Sequence, residues 1–445
     1  MTMKRLPAYF IAIAACVVLI TACSGGDDGD GAVAGDGTVG LRAFEGTTLN
    51  VLIKTGYESR AITEFQDDFV AATGIQLNIE VVDEPTLRTK FTLDGVSETG
   101  AYDVVATQFW YMPEYLRGGF LAPLDELIAE SRSEWFAVDD IPESQKAAYR
   151  DGNGRLHAVP VSSSGGVLMY RTDLFEEYGI PTPSTTEDVL AAAAILRDHL
   201  NDDIVPFVGR GDSSSGSFGS SAGWAAAYGA AVLDGEGNVT IATDAMRRAI
   251  ADWTTLMRDY GPADASVMGW DSMSEMFRQG RAAMNFDMSG FPAVYMDPEA
   301  SQVADRVAVT TITGPAGVAA QWVYGEGLGI TASSRNKEAA WLFIQWRTSL
   351  DVAIKEVERG LRTDFPLESI YTTPEYREHT ADNDFARSIP AVMESVDFSY
   401  WPNVPQFAQL GQAFQSAVSL VIEGSMDLDG ALAWSEDEIV RILAE

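Results

Sequence analysis

Hydrophobic residues along the chain change their spacing in a regular order. A short apolar run over residues 49–53 predicts a buried strand. Residues 62–73 carry hydrophobic side chains at helical spacing, and residues 75–81 then alternate hydrophobic and polar positions as a strand with one buried face. A further strand, YDVVAT, covers residues 102–107. The order strand, helix, strand, strand predicts an α/β unit.

The same alternation begins again after residue 154. Two apolar strands flank three serines, and a later helix begins at the capping box Ser184-x-x-Glu187. Residues 209–223 are rich in glycine and serine, so they are predicted to form a surface loop. Because 445 residues exceed what one hydrophobic core usually supports, the sequence predicts two α/β lobes.

The amino-terminal segment has the features of an export signal. Lys4 and Arg5 precede an apolar stretch over residues 8–22, which is short for a spanning helix of about 20 residues. The small residues ahead of Cys23 resemble the lipobox of bacterial lipoproteins, which implies that residues 1–22 are removed and Cys23 is acylated. The alternative is an ordinary secretion signal in which this cysteine is incidental.

Composition narrows the function further. Residues 23–45 are predicted to be a flexible acidic, glycine-rich tether, because most of them cannot bury apolar area. The chain has 65 acidic and 30 basic residues, and its formal net charge of −35 disfavours nucleic acids, anionic lipids and anionic ligands. Of the two cysteines, one lies in the signal and the other would carry lipid, so no intrachain disulfide is expected. Three histidines without ligand spacing disfavour a metal centre, and the sequence has no Gly-rich phosphate loop of the P-loop or dinucleotide type, so no cofactor is expected.

Four stretches carry a resemblance to a known family. They are YDVVATQFWYMPEYLRGGFLAPLDELI, GRLHAVPVSSSGGVLMYRTDLFEEYGIPTP, FRQGRAAM and GITASSRNKEAAWLFIQW, and together they span most of residues 49–350. In this order they resemble the carbohydrate-binding branch of the extracellular solute-binding proteins that serve ABC importers. The segment DEPTLRTKFTLDG, residues 83–95, is similar to the sorbitol- and mannitol-type binders, whereas residues 108–111 and ERGLRTDFPLESIY differ from them. A sugar and a sugar alcohol both stay open as ligands.

The resemblance implies a two-lobe, type II periplasmic-binding-protein-like α/β fold with three hinge crossings. The crossings are expected near residues 154–163, 316–325 and 359–365. Lobe 1 is expected to comprise residues 46–158 and 325–358, and lobe 2 residues 159–324 and 359–445. The implied function is capture of a neutral sugar, oligosaccharide or polyol by a monomer that closes on its ligand. The loaded protein would then dock on the permease subunits of an ABC importer at the outer side of the membrane.

A carbohydrate site needs flat aromatic walls and convergent hydrogen-bonding groups. Five tryptophans lie outside regular hydrophobic periodicity and are candidates for stacking on ligand, although each also suits a packing role: Trp110, Trp224, Trp270, Trp322 and Trp401. The polar candidates lie at predicted strand ends or in loops: Glu84, Gln108, Ser163, Asp287, Tyr324 and Arg362. Asp287 could accept two hydroxyls or cap a turn, and Arg362 could donate to a hydroxyl pair or pair with Asp364.

Two enzyme classes are the alternatives. Lys54-Thr55-Gly56 and Ser334-x-x-Lys337 match motifs of penicillin-binding serine hydrolases, but their order along the chain is reversed and Ser334 is predicted to lie on an exposed turn. A glycoside hydrolase could use two carboxylates such as Asp271 and Asp287. A chain with 65 acidic residues offers many such pairs, so neither motif set favours catalysis over binding.

Overall fold

The computed structural model describes residues 40–381, 384–398 and 401–445. The strands, in chain order, are β1 Thr48–Lys54, β2 Gln76–Val82, β3 Val104–Gln108, β4 Ala158–Ser164, β5 Gly166–Arg171, β6 Val205–Val208, β7 Ala282–Met288, β8 Val307–Thr310 and β9 Tyr324–Ile330. The predicted signal, the acylated Cys23 and the tether up to residue 39 lie outside the described residues. Residues 41–46 form turns, and Leu41 and Phe44 pack against the main hydrophobic core. The folded part of the chain therefore begins before the expected end of the tether.

The described part of the chain also contains seventeen α-helices of four or more residues, six of which follow β9. They are α1 Tyr57–Thr73, α2 Glu84–Ser97, α3 Met112–Gly118, α4 Asp125–Glu130, α5 Glu143–Lys146, α6 Thr172–Glu177, α7 Thr186–His199, α8 Phe218–Ala226, α9 Asp244–Asp259, α10 Trp270–Arg278, α11 Pro292–Tyr295, α12 Lys337–Arg347, α13 Leu350–Glu358, α14 Pro374–Thr380, α15 Asp384–Glu394, α16 Phe407–Glu423 and α17 Leu428–Leu443. Among the described residues, no helix has both the length and the apolar composition needed to cross a bilayer.

The strands form two separate sheets. The first has the order β2-β1-β3-β9-β4, in which β1 is parallel to β2 and β3, while β9 runs antiparallel to both β3 and β4. The second has the order β6-β7-β5-β8. The carboxyl ends of four strands, β1 to β4, lie together at the edge of the first sheet where β9 begins. This edge faces the second lobe.

The lobe boundaries differ from the expected ones. β4 continues to Ser164 within the first sheet, because it pairs with β9 through Ser164 and Tyr324, so the first crossing lies at 164–166 and not at 154–163. The second crossing, just before β9, falls inside the expected range. Residues 359–380 stay with the first lobe, since Ser369 binds Asp140 and α14 packs on α13. α15 then packs against β8 of the second sheet.

The predicted surface loop over residues 209–223 is wrong in its second half. Residues 218–226 are the helix α8, and every residue of this helix is buried. Its small residues allow close approach of the segment before β9: a Cβ on Gly223 would lie 1.5 Å from the carbonyl oxygen of Gln321, and one on Gly219 would lie 2.6 Å from the Trp322 ring. The glycines therefore serve helix packing and not loop flexibility.

We predict that Gly223→Ala destabilises the protein. The added methyl group collides with backbone, which cannot move aside as a side chain can, so the free energy of unfolding should fall by about 3 kcal/mol. Urea unfolding of the full chain measures this loss. The matched control is Gly235→Ala, which meets nothing within 4 Å and should change stability by less than about 0.5 kcal/mol. Equal stability of both variants would contradict the packing argument.

Candidate functional site

Gln108 ends β3 at the edge of the first sheet that faces the second lobe. Its side chain is completely buried, and neither the amide oxygen nor the amide nitrogen has a hydrogen-bond partner among the described residues. A buried amide without partners costs about 1–3 kcal/mol. A group of this kind at the end of a strand is the expected sign of a position that a ligand or water completes.

Two charged residues lie beside Gln108. Glu326 of β9 is its direct partner in the antiparallel register, so both side chains project from the same face of the sheet. The Nζ of Lys54, the last residue of β1, lies 3.7 Å from the Glu326 carboxylate, and the Tyr324 hydroxyl donates to the same carboxylate at 3.2 Å. Lys54 also lies over the Tyr324 ring. These four side chains form the polar edge cluster.

The aromatic wall of this cluster comes from both lobes. Trp110 follows Gln108 in a single 3-10 turn and contacts Tyr324 at 5.5 Å between ring centroids. The ring of Phe407, at the start of α16, lies parallel to the Trp110 ring at 6.4 Å. Trp401 contacts Phe407 and also Phe109 of the first lobe, and it is 6% exposed. The lobes thus meet through stacked and edge-on aromatic rings.

Glu84 joins the cluster indirectly. It is the first residue of α2 and accepts a hydrogen bond from the Tyr111 hydroxyl at 3.1 Å, while the Tyr111 ring contacts that of Trp110. Burial, followed by the charge of Glu84, raises the pKa of Tyr111 well above its ordinary value, so this hydroxyl stays protonated and donates. Glu84 therefore helps to position Trp110 through Tyr111.

The second lobe contributes an ion pair at the end of β7. Asp287 is fully buried and accepts two hydrogen bonds from the Arg210 guanidinium, at 2.7 and 2.8 Å. Burial raises the pKa of Asp287, and the charge of Arg210 opposes the rise. The same guanidinium lies 4.6 Å from the Trp322 ring centroid, and the Trp322 indole donates to Ser220. Both carboxylate oxygens of Asp287 accept hydrogen bonds from Arg210. Asp287 therefore forms an ion pair, a role that differs from the two predicted ones, accepting ligand hydroxyls or capping a turn.

Arg362 and Ser163 lie away from the polar edge cluster. Arg362 donates to the backbone of Val161 at 2.9 Å and to Asp364, whose carboxylate accepts from Ser164 at 2.6 Å. Pairing with Asp364 is therefore the alternative that the geometry favours for Arg362. Ser163 is opposite Gly325 and so projects from the other face of the sheet than Gln108, although its buried hydroxyl also has no hydrogen-bond partner in the described structure.

Two of the candidate tryptophans are not at the cleft edge. Trp224 is fully buried inside α8 and packs against Trp253 and Phe286, so it lies in a helix and not in the predicted surface loop. Trp270 begins α10, is 52% exposed and contacts Phe291, which in turn lies beside Arg210. Trp270 is therefore on the outer side of the Arg210 ion pair.

The geometry does not assemble either enzyme alternative. Ser334 is 3% exposed and donates to Asp103 at 2.6 Å, so it is not on an exposed turn, and it precedes α12 as a buried structural residue. Lys54, from the other motif, pairs with Glu326. Asp271 is exposed on α10, whereas Asp287 is occupied by Arg210. No nucleophile with its base, and no facing carboxylate pair, results from these motifs.

Sequence reasoning missed Lys54 and Glu326, the two charged members of the polar edge cluster. Lys54 stands out in the sequence only as part of a hydrolase motif. No pattern singles out Glu326, which lies between two glycines in GEGLG. The available signal was positional: Lys54 ends an apolar strand, as Gln108 does, and parallel strands end at the same edge. Arg210 was missed because its loop was expected to be mobile surface.

The matching family model is described as bacterial extracellular solute-binding protein, and it covers residues 55–353, about two thirds of the chain. The chain belongs to this family. Proteins of the family bind substrates for ABC transporters outside the cytoplasm and are not enzymes. The two-sheet architecture described above is the expected one for such a solute-binding protein.

Relatives and solved structures extend the comparison. The mannitol-binding protein of Pseudomonas aeruginosa is 26% identical over 82% of this chain and 86% of its own length. The erythritol/L-threitol-binding protein of Mycolicibacterium smegmatis is 24% identical over 90% and 88%. A solute-binding protein from Agrobacterium radiobacter K84, solved with ribitol, is 27% identical with a TM-score of 0.78 over 88% of this chain and 98% of that chain. A maltose-bound protein of T. maritima, 20% identical, has a TM-score of 0.76 over 89% and 100%, and it shows the fold alone.

We predict that Arg210→Met destabilises this solute-binding protein by about 3–5 kcal/mol, because the Asp287 carboxylate is left buried without its partner. The loss should shrink as the pH is lowered, since protonation of Asp287 removes the uncompensated charge. Urea unfolding at several pH values measures both effects. The control is Arg258→Met, which removes an ion pair with Asp259 whose side chains are about half exposed, and it should cost less than about 1 kcal/mol.

Proposed function

We propose that this protein captures an uncharged sugar alcohol or sugar between its lobes and delivers it to an ABC importer. The observation that carries the proposal is the buried, unpartnered amide of Gln108 beside the Glu326 carboxylate. A hydroxyl group can both accept from the amide nitrogen and donate to a carboxylate. A polyhydroxylated ligand supplies such groups in series.

The charges at the cleft favour an uncharged ligand. Lys54 pairs with Glu326 on the first lobe, and Arg210 pairs with Asp287 on the second, so these four charges sum to zero. A carboxylate or ammonium on the ligand would enter this buried region without a partner of its own, at a high desolvation cost. The net charge of −35 adds long-range repulsion of anions.

Relatives favour sugar alcohols over oligosaccharides. The relatives from P. aeruginosa and M. smegmatis are named for mannitol and for erythritol or L-threitol, and the A. radiobacter structure contains ribitol. Gln108, Glu326, Tyr324 and Trp401 are each 6% exposed or less, so a ligand held among them is enclosed on the sides they form. Enclosure suits a small polyol better than a glycan that must extend into solvent.

Closure of the lobes supplies the mechanism. The polar edge cluster lies on the first lobe, while Phe407 and Trp401 come from the second, so the wall around a ligand is complete only when the lobes meet. A ligand that contacts both lobes therefore stabilises the closed form over the open form. The closed form would then be the shape that the importer permease binds.

The amino-terminal expectations complete the proposal. Residues 1–22 would direct export, and acylated Cys23 would hold a monomer at the outer side of the membrane. One acyl group alone gives only marginal, reversible membrane binding, so stable anchoring would need a second membrane-binding signal. Radiolabelled palmitate incorporation into the full chain, lost in Cys23→Ser, tests this part separately from ligand binding.

We predict that D-mannitol, ribitol or erythritol raises the melting temperature of the full chain. A ligand at about 100 times its dissociation constant adds about 2.7 kcal/mol of stability by mass action. Amino acids and D-gluconate, an anion of similar size, serve as negative controls. A shift with amino acids and none with any polyol or neutral sugar would refute the proposed function.

We predict that Gln108→Met separates stability from binding. The methionine side chain has a similar shape but no amide, so the ligand-free protein should be as stable as the wild type or more stable. Loss of both amide contacts should weaken polyol binding by about 10- to 100-fold, measured by isothermal titration calorimetry. Gln302→Ala, an exposed glutamine on the second lobe, should change neither quantity. Unchanged affinity in Gln108→Met would remove Gln108 from the site.

A further inference from the structure

Aromatic rings pack closely against the back of the strand that carries Glu326. A Cβ on Gly325 would lie 2.5 Å from the Phe398 ring, and one on Gly327 would lie 2.7 Å from the Tyr149 ring. Both neighbours of Glu326 are therefore pressed against aromatic rings on the back of the sheet. Because side chains alternate along a strand, Glu326 must project from the front, on the side of Gln108.

Lys54 reaches the same carboxylate from a different strand. Its side chain is 14% exposed and that of Glu326 is 2% exposed, and the 3.7 Å separation of Nζ and carboxylate is longer than a strong charge-assisted hydrogen bond of about 2.8 Å. The contact between Lys54 and Glu326 therefore balances the two charges without a short hydrogen bond. The Lys54 ammonium is also placed by the Tyr324 ring beneath it, at 5.2 Å.

Building on the proposed function, we propose that Gln108 and Glu326 are a hydroxyl-reading pair and that Lys54 is its positioning residue. The amide of Gln108 donates a hydrogen bond to a ligand hydroxyl oxygen, and the same or the neighbouring hydroxyl donates a hydrogen bond to the Glu326 carboxylate. Lys54 balances the charge of the carboxylate and helps to position it. The pair selects alcohols, because an acceptor-only group such as a carboxylate cannot donate to Glu326.

A purely structural role explains less of the geometry. If Lys54 and Glu326 served only to join β1 to β9, their pairing would not require an unpartnered amide directly opposite Glu326. β3, which carries that amide, already joins the two strands through backbone pairing with both. The register places the carboxylate next to the one side-chain amide of β3, and a hydroxyl between them would bond to both groups.

The test is a set of variants of the full chain: Glu326→Gln, Lys54→Met and the double variant. Isothermal titration calorimetry with D-mannitol, ribitol and erythritol should show that each single change weakens binding about tenfold or more. In the double variant the neutral glutamine needs no charge balance, so its affinity should be no lower than that of Glu326→Gln alone. Melting temperatures of the ligand-free variants report the structural contribution separately.

The control removes a lysine ion pair of the same lobe that lies on its exposed surface. Lys355→Met breaks a 2.6 Å contact with Asp68 and should leave affinity unchanged. If the wild type binds an alcohol and the three cleft variants bind it equally well, the hydroxyl-reading pair is overturned while the proposed function stands. Lower melting temperatures with unchanged affinity would likewise assign Lys54 and Glu326 a structural role only. If the wild type binds no alcohol or neutral sugar, both proposals fail together.

Discussion

The fold depends on one buried carboxylate where the chain passes between its lobes. Asp364 accepts a hydrogen bond from Ser164 at the end of β4 and another from Ser289 just after β7, and it is paired with Arg362. Ser289 also exchanges hydrogen bonds with the backbone of Gly165. A single anion therefore ties the end of the first sheet, the second sheet and a carboxyl-terminal segment to one point, and its own burial is tolerable only because all these donors converge on it.

This junction determines where the site residues lie. Because β4 is held at Ser164, its neighbour β9 starts at the same edge, and the antiparallel register then brings Glu326 opposite Gln108. β1 and β3 run antiparallel to β9 and end at this edge. The polar edge cluster is thus a consequence of strand register, whereas the aromatic wall depends on the approach of α16 from the second lobe.

The sequence was informative where periodicity is strong and weak where packing decides. The alternation at residues 75–81 and the helical spacing before it correspond to β2 and α1, and the predicted strand before Gln108 corresponds to β3. Glycine and serine in residues 209–223 carry no such signal, since the same small residues suit a loop or a tightly packed helix. Whether Arg362 meets a ligand or Asp364 depends on contacts with β4, about 200 residues away along the chain, which composition and spacing do not encode.

The costs of the site and its function are linked. A buried unpartnered amide and two buried ion pairs lower the stability that hydrophobic packing would otherwise give to the ligand-free protein. A hydroxyl that satisfies Gln108 removes one of these costs only when the lobes have excluded water from the cleft. Part of the binding free energy would then stabilise the closed form relative to the open form, because the interactions with the ligand would reach full strength only in the closed form. Under the proposed function, the aromatic contacts of Phe109 and Trp110 with the second lobe would favour closure for any ligand, so selectivity would come from the polar edge cluster.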